Sequence, residues 1–484
     1  MATLVWFRLD LRLADNPALQ AALARGQPVI PVFIWSPEEE APWPPGAASR
    51  WWLHYSLNAL DRSLRKCGSR LILRRGSSLT VLRTVAKETG ARAVLWNRRY
   101  EPALIARDER IEESLRIEGL VVQSFNSALL FEPWTLKTAA GKPFQVFTPF
   151  WRACLAMPEP PTPAKMPRTL KGPVRWPASE PLGALALLPK FDWAAGLRTA
   201  WQPGEAGAQL QLRRFVRSAL ADYPARRNFP AQPGASCISP HLHFGEISPR
   251  QIWHALRKAA ASSVSKRLHH AAPSYLRQLG WREFAHHLLF HFPHTTDQPL
   301  RSEFARLEWN RNPAALRAWQ RGRTGYPLVD AGMRELWATG WMHNRVRMVV
   351  ASFLVKDLLV PWQQGARWFW DTLVDADLAN NTLGWQWSAG CGADAAPFFR
   401  IFNPVTQSQK FDARGDYICR WIPELAQLPA QWLHQPWRAP AEALRAAGIV
   451  LGKTYPKPVV EHSEARRRAL DAFGAIRKHT GGRR

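Results

Sequence analysis

Cysteine is scarce in this chain. Five residues (Cys67, Cys154, Cys237, Cys391 and Cys419) are scattered over 484 positions, with no C-x-x-C pair among them. That spacing excludes a zinc ribbon, an iron–sulfur cluster and a disulfide framework, and it makes a reducing cytosol the expected compartment. Cys154 reads as buried packing rather than as a nucleophile. Long apolar runs are also missing: no stretch reaches the roughly 18 residues of a membrane-spanning helix. The start, Met1-Ala2-Thr3-Leu4-Val5-Trp6-Phe7-Arg8, runs into a strand-like segment without a signal peptide's apolar core and cleavage site. There is no internal repeat or low-complexity tract. His286, His287 and His291 lack an H-E-x-x-H pattern, so no metal site is expected.

Acidic residues are in deficit. Against 65 Lys+Arg stand only 38 Asp+Glu, a formal charge of +27 and a pI of about 10.8. A solvated Arg-rich surface gives the same count. The sharper reading is a polyanionic partner bound through counterion release, which does not separate DNA from RNA.

Tryptophan is abundant instead: 25 residues, fourteen of them beyond residue 250. Indoles suit core packing, stacking on nucleobases and the relay of single electrons. The densest run, Gly384-Trp385-Gln386-Trp387, follows Asp375-Ala376-Asp377-Leu378-Ala379-Asn380-Asn381.

The first 130 residues alternate between strand-like runs (Thr3–Arg8, Val29–Trp35, Arg70–Arg75, Ala93–Trp96, Leu120–Phe125) and helix-like ones (Pro17–Arg25, Arg50–Lys66, Leu79–Thr89, Ile105–Glu118). Such alternation predicts a doubly wound parallel sheet with helices on both faces. A Pro-rich stretch, Met157–Pro189, reads as a linker draped over the surface without forming a packed element. Beyond about residue 200 the periodicity is helical: Ala208–Leu220, Pro249–Ala261, Tyr275–His291, Ala314–Arg321, Leu328–Thr339, Met342–Leu359 and Ala366–Leu373. The fold class is therefore α/β followed by all-α. Its expected domains are residues 1–130, a linker at 131–200, and a helical domain at 201–484. Gly390-Cys391-Gly392-Ala393-Asp394-Ala395 has the look of a dinucleotide fingerprint, but no strand precedes it.

Five separated motifs resemble the photolyase/cryptochrome family, in the family's order: Val5–Pro17, Trp281–Phe284, Gly322–Pro327, Gly340–Arg345 and Asp375–Trp387. The similarity runs nearly end to end and is closest to the plant-cryptochrome-related bacterial branch known as class III. It implies a Rossmann-like N-terminal antenna domain and a helical domain holding FAD. For the flavin it implies Tyr223, Ser236, Ile238, Ser239, Arg282, Arg347, Asp375, Asp377 and Asn381. Ala235 and Cys237 depart from the family's Thr and basic positions in the loop gripping the FAD diphosphate. Arg347 and Asp375 match a buried ion pair beside the isoalloxazine, and Asn381 matches the residue facing flavin N5, where an amide is a poor proton donor.

The resemblance assigns Trp281 and Trp387 to stacking on a flipped pyrimidine dimer. Asn344, Arg345 and Met348 would line the pocket and contact DNA, and Gln278 stands where many members carry Glu. Trp385, Trp362 and Trp309 match a three-tryptophan electron chain, with Trp319 and Tyr326 as alternative stops. The antenna pigment implied is methenyltetrahydrofolate, with Glu38 as its contact and a deazaflavin as the alternative. The expected activity is light-driven splitting of cyclobutane pyrimidine dimers in UV-damaged DNA by a cytoplasmic monomer that needs no membrane. A (6-4) photolyase would carry histidines at Asn344 and Met348. A cryptochrome-like photoreceptor would be expected to extend in a long tail, whereas here the similarity continues through Tyr455–Val460 and Glu464–Ala475, with few residues after it.

Overall fold

The computed structural model describes residues 2–395 and 399–481, with side chains through residue 476. The chain forms two compact units. The first comprises Met1–Ala221, Ser236–Pro293 and Val374–Ala379; the second comprises Asp222–Ala235, His294–Leu373 and Asn380–Arg484. No helix among the described residues is long and apolar enough to cross a membrane.

The first unit holds five parallel strands in the order β3-β2-β1-β4-β5. They are β1 (Ala2–Phe7), β2 (Val29–Trp35), β3 (Ile72–Arg75), β4 (Ala91–Asn97) and β5 (Val121–Phe125). Every residue of β1 and β2 is buried, as the continuous apolar runs require of strands covered on both faces. Helices Pro17–Ala24, Ala47–Lys66, Ser78–Thr89 and Pro102–Ile117 connect them, so the expected doubly wound sheet is present. Trp6 and Trp96 are register partners on β1 and β4, with rings edge-on at 5.6 Å. Part of the tryptophan excess is thus core.

The opening motif is largely architectural. Asn16 caps the first helix by accepting from the Leu19 N–H. The buried Arg12 donates to the carbonyls of Asp15, Ser127 and Gly245. Asp15, at φ +52°, accepts from the Ser248 hydroxyl at 2.5 Å and pairs with Arg250 at 2.9 Å.

The Pro-rich stretch contains one short 3-10 turn, Leu182–Leu185, yet it is fastened down. The Leu73 N–H donates to Ser179, the Glu180 N–H donates to the Leu73 carbonyl at 2.9 Å, and Trp176 packs on the sheet core and under Arg70. The reading of an unpacked linker fails here because a segment poor in its own hydrogen bonds uses those of β3.

Two helices outside the sheet complete the relevant part of this unit. Phe147–Ala156 packs on Lys266–His291. Gly280 permits the approach, since a Cβ there would lie 2.4 Å from the Trp151 ring.

The second unit is helical. The Gly322–Pro327 motif wraps one carboxylate: Asp330 accepts from the Thr324 hydroxyl, the N–H groups of Thr324 and Gly325, and the Tyr455 hydroxyl. Burial pushes this carboxyl up to about 6 despite those donors. The periodic run Met342–Leu359 is not one helix. Asn344–Ser352 is α-helical, capped by His343, and Phe353–Asp357 is a π-turn. The π-turn carries Lys356 and Asp357, both buried; the ammonium donates to the Arg400 carbonyl and Asp357 pairs with His462. A widened turn is where a helix takes up such polar demands. The glycine-rich run at 390 follows helix Leu378–Ala389, and the N–H groups of Gly390, Cys391 and Gly392 all donate to the Gln386 carbonyl. It is a helix stop.

Candidate functional site

In the first unit, Ser236 to Ser239 form a turn entering the short helix Ser239–His243. Cys237 has φ +52° and Ile238 is right-handed. A left-handed residue followed by a right-handed one aims successive N–H groups to one side, the shape of a phosphate cradle. The turn is held from behind, because Tyr275 donates to the Ser236 hydroxyl at 2.7 Å and Gln211 donates to its carbonyl at 2.7 Å. Ser239 donates to the Asp375 carboxylate at 2.6 Å, so two residues 136 positions apart in sequence meet.

Asp377 lies 3.4 Å from His286 Nε2. Burial alone would raise its carboxyl, but His286 and Arg282 together pull it well below the ordinary carboxylate range. His243 is held neutral: burial drives it down to about 4. Arg282 donates to the Ala128 carbonyl at 2.5 Å. Its neighbour Glu283 accepts the N–H groups of Leu130 and Phe131 and is pushed up to about 7 by burial. Asp377, His243 and Arg282 line a polar cavity with Asp10, Asn97 and Arg99, at the carboxyl ends of β1 and β4, where the strand order reverses. Glu38 is exposed in the turn Pro37–Glu40. The acids facing inward there are Glu39, bonded to Ser78, and Glu40, 3.7 Å from Arg99.

Gln278 and Trp281 sit one turn apart on helix Lys266–His291, both half-buried. The Trp281 indole lies parallel on Phe147, centroids 3.7 Å apart and planes within 6°.

In the second unit, Tyr223 is buried beneath the Arg227 guanidinium. Arg347 donates from Nε to the Met342 carbonyl at 2.8 Å. Asn381 donates to the Ala366 carbonyl at 3.0 Å, which leaves its amide oxygen for another partner.

Trp385 is buried against Trp319 and Phe369, at 6.2 and 5.0 Å. It rests on Gly365, where a Cβ would fall 2.1 Å from the indole. Gly365 lies one turn after the buried Trp362 on helix Trp362–Thr372, and the Asn310 N–H, next to Trp309, donates to the Leu359 carbonyl at 2.7 Å. That bond ties the segment carrying Trp309 to the turn that precedes Trp362.

Asn344 is exposed and Met348 half-buried on helix Asn344–Ser352. Its cap, His343, accepts the Arg345 N–H and is driven by burial down to about 4. Arg345 donates to Asn228 at 2.8 Å and lies over Phe411. Burial lowers its pKa, as do the nearby Arg227 and Arg400. Trp387 lines a cavity with Arg301, Lys356, Phe399 and Arg400.

Gln386, between the two indoles in sequence, is saturated: it accepts from the Leu300 N–H at 2.9 Å and donates to Thr295 and Gln298 carbonyls at 2.7 Å each. The sequence motifs did not single out Phe147, Gln386, Arg227 or Arg400. For Arg227 the adjacent Arg226 was the available signal; for Arg400 and Phe147 there was none.

Family models described as DNA photolyase and as the FAD binding domain of DNA photolyase match residues 3–168 and 275–475. The chain is 50% identical to a deoxyribodipyrimidine photo-lyase of Agrobacterium fabrum, over 99% of this chain and 98% of that one. It is 43% identical to Cryptochrome-1 of Arabidopsis thaliana, over 98% of this chain and 70% of that one. A solved bacterial class III photolyase from Agrobacterium tumefaciens superposes with a TM-score of 0.94 at 50% identity, covering 99% and 98% of the two chains. With models matched over most of its length and photolyases aligned over nearly the whole of both chains, the chain belongs to the photolyase/cryptochrome family.

Proposed function

We infer that this chain is a light-driven DNA repair enzyme that splits cyclobutane pyrimidine dimers. Trp281 carries the reading: an indole half-exposed and locked parallel on Phe147 is a ready stacking surface for a base taken out of the helix. Extrusion of the base is the general solution for enzymes of this kind, photolyases among them.

FAD fits the chain's own residues. Ser236, Cys237, Ile238 and Ser239 supply the cradle for its diphosphate, Tyr223 flanks it, and Asp375, Asp377, Arg282 and Arg347 supply charge around its ring. When bound and fully reduced, FAD would supply light-driven one-electron chemistry, with the electron returned once the dimer's two C–C bonds have broken. The protein's share is orientation, electrostatics and exclusion of water. Asn381 offers an amide, which keeps a proton donor away from flavin N5. Asn344 and Met348 offer no imidazole, which fits a cyclobutane dimer and not a (6-4) lesion. Gln278 presents hydrogen bonds to the pyrimidine edge without negative charge. Arg345, with Arg227 and Arg400 close by, binds backbone phosphates around the lesion. Trp385, Trp362 and Trp309 carry electrons inward to restore the reduced state. Methenyltetrahydrofolate is the proposed antenna pigment, with Glu38 at its site.

The test is illumination of purified, photoreduced protein with dimer-containing single- and double-stranded DNA, following the return of thymine absorbance. Repair of either substrate supports the reading. Repair of neither overturns it in favour of a blue-light photoreceptor. Mass analysis of the released pigment decides between folate and deazaflavin.

A further inference from the structure

Phe147 is 1% exposed and lies 134 residues from Trp281, yet the two rings stack at 3.7 Å. Because the indole covers one face of Phe147, the Arg277 guanidinium, 4.8 Å from its centroid, sits over the other. The result is three layers: cation, phenyl, indole.

The stack is anchored through its own helix. Trp151 seats on Gly280, and Phe150 packs on Phe284 and His287, at 5.1 Å from each. The Phe144 N–H donates to His287 Nε2 at 2.9 Å, and the same ring donates from Nδ1 to the Pro133 carbonyl at 3.1 Å. Burial holds His287 at about 4, so the acceptor nitrogen stays free of a second proton at neutral pH. An exposed indole without such backing samples several rotamers and loses that freedom when it binds; one fixed beforehand does not. The guanidinium completes the arrangement by lying on the phenyl's negative face.

We propose that Phe147 is a positioning residue for lesion recognition: with Arg277 behind it, it holds the Trp281 indole in the plane on which the extruded pyrimidine stacks. This rests on the role given above to Trp281. If Phe147 served only as core, any apolar side chain of similar volume would replace it. If it serves the indole, a flat ring is required.

The experiment compares flavin-loaded, full-length variants in the dark for binding to dimer-containing and undamaged duplexes, and measures photoreduction on the same samples. Phe147→Leu is expected to lose about tenfold in the ratio of the two affinities, the scale of one stacked base, with photoreduction unchanged. Phe147→Tyr restores the ratio, and Arg277→Gln loses roughly two- to threefold, as for a partly exposed cation–π contact. The proposal is overturned if Phe147→Leu keeps the full ratio while Trp281→Ala loses it. It is also overturned if Phe147→Leu loses photoreduction in step, because the damage is then general. Full discrimination by Trp281→Ala would remove the lesion role itself and the proposal with it.

Discussion

Around Trp281 the supporting groups are rings; around Trp385, itself packed on Trp319 and Phe369, and Trp387 an amide adds to them. The first indole is backed by Phe147 and edged by Phe284, contacts that depend on area and shape. The second pair is joined to its surroundings through Gln386, whose side chain holds three backbone groups between residues 295 and 300. Each region also has a glycine that makes room for an indole, Gly280 under Trp151 and Gly365 under Trp385. Ring packing tolerates small errors by sliding, whereas a saturated amide fails outright when a partner is lost. One region is thus graded in its response to substitution and the other is abrupt.

The largest expected effect belongs to the second region. Trp385→Phe abolishes photoreduction of the flavin, followed as loss of oxidised-flavin absorbance under blue light, while chemically reduced enzyme still repairs dimers. Loss of that repair would contradict the division of labour between Trp385 and Trp387.

Next is Gln386→Leu, which removes the side chain's bonds to the Leu300 N–H and to the Thr295 and Gln298 carbonyls. At about 1–3 kcal/mol for the buried bond to Thr295, and less for the two part-buried ones, calorimetry should show a loss of roughly 2–3 kcal/mol. A loss under about 1 kcal/mol would mean that water replaces the amide, and the contrast between rings and amides would collapse.

Smaller again are Gly280→Ala and Gly365→Ala, each overpacking an indole at about 1–3 kcal/mol. The stability changes should be alike, but only Gly365→Ala should slow photoreduction, because only that glycine touches Trp385. Equal slowing by both would erase the distinction.

The effect that emerges only as pH rises is carried by a buried carboxyl in each unit. Glu283 accepts two backbone N–H groups, and Glu335 accepts from the Tyr417 hydroxyl and the His343 N–H. Burial pushes both up to about 7. A raised folded-state pKa gives stability that is full below the unfolded value near 4.5 and is lost as pH rises through 7. Glu→Gln at either position keeps an acceptor and should remove that loss, flattening the pH profile of denaturant unfolding between about 4.5 and 7. An unchanged slope at one position alone would mark that carboxylate as ionised in the fold.

The sheet was legible because its signals are local. Strand-like runs such as Val29–Trp35 coincide with the observed strand, and the helix signals at Pro17 and Pro249 mark true starts, capped by Asn16 and Ser248. Contacts that depend on the fold left no trace in the sequence. Phe147 on Trp281 joins positions 134 apart, and Ser239 on Asp375 joins positions 136 apart. The run Met342–Leu359 misled because apolar periodicity records which face is buried; it is silent about Lys356 and Asp357, whose buried polar groups widen the turn. The opening motif was legible as a family mark, but its architectural work, Arg12 gathering the distant carbonyls of Ser127 and Gly245, emerges only with the chain folded.

The Pro-rich segment has a consequence for how this protein avoids its own kind. β3 is an outer strand, and an outer strand offers unpaired N–H and C=O groups to any other chain. Ser179 and Glu180 occupy those of Leu73, and prolines on either side keep the covering segment from becoming a further strand that would pass the exposure outward. A protease cut within it would therefore do more than sever a connection: it would uncover a template for aggregation.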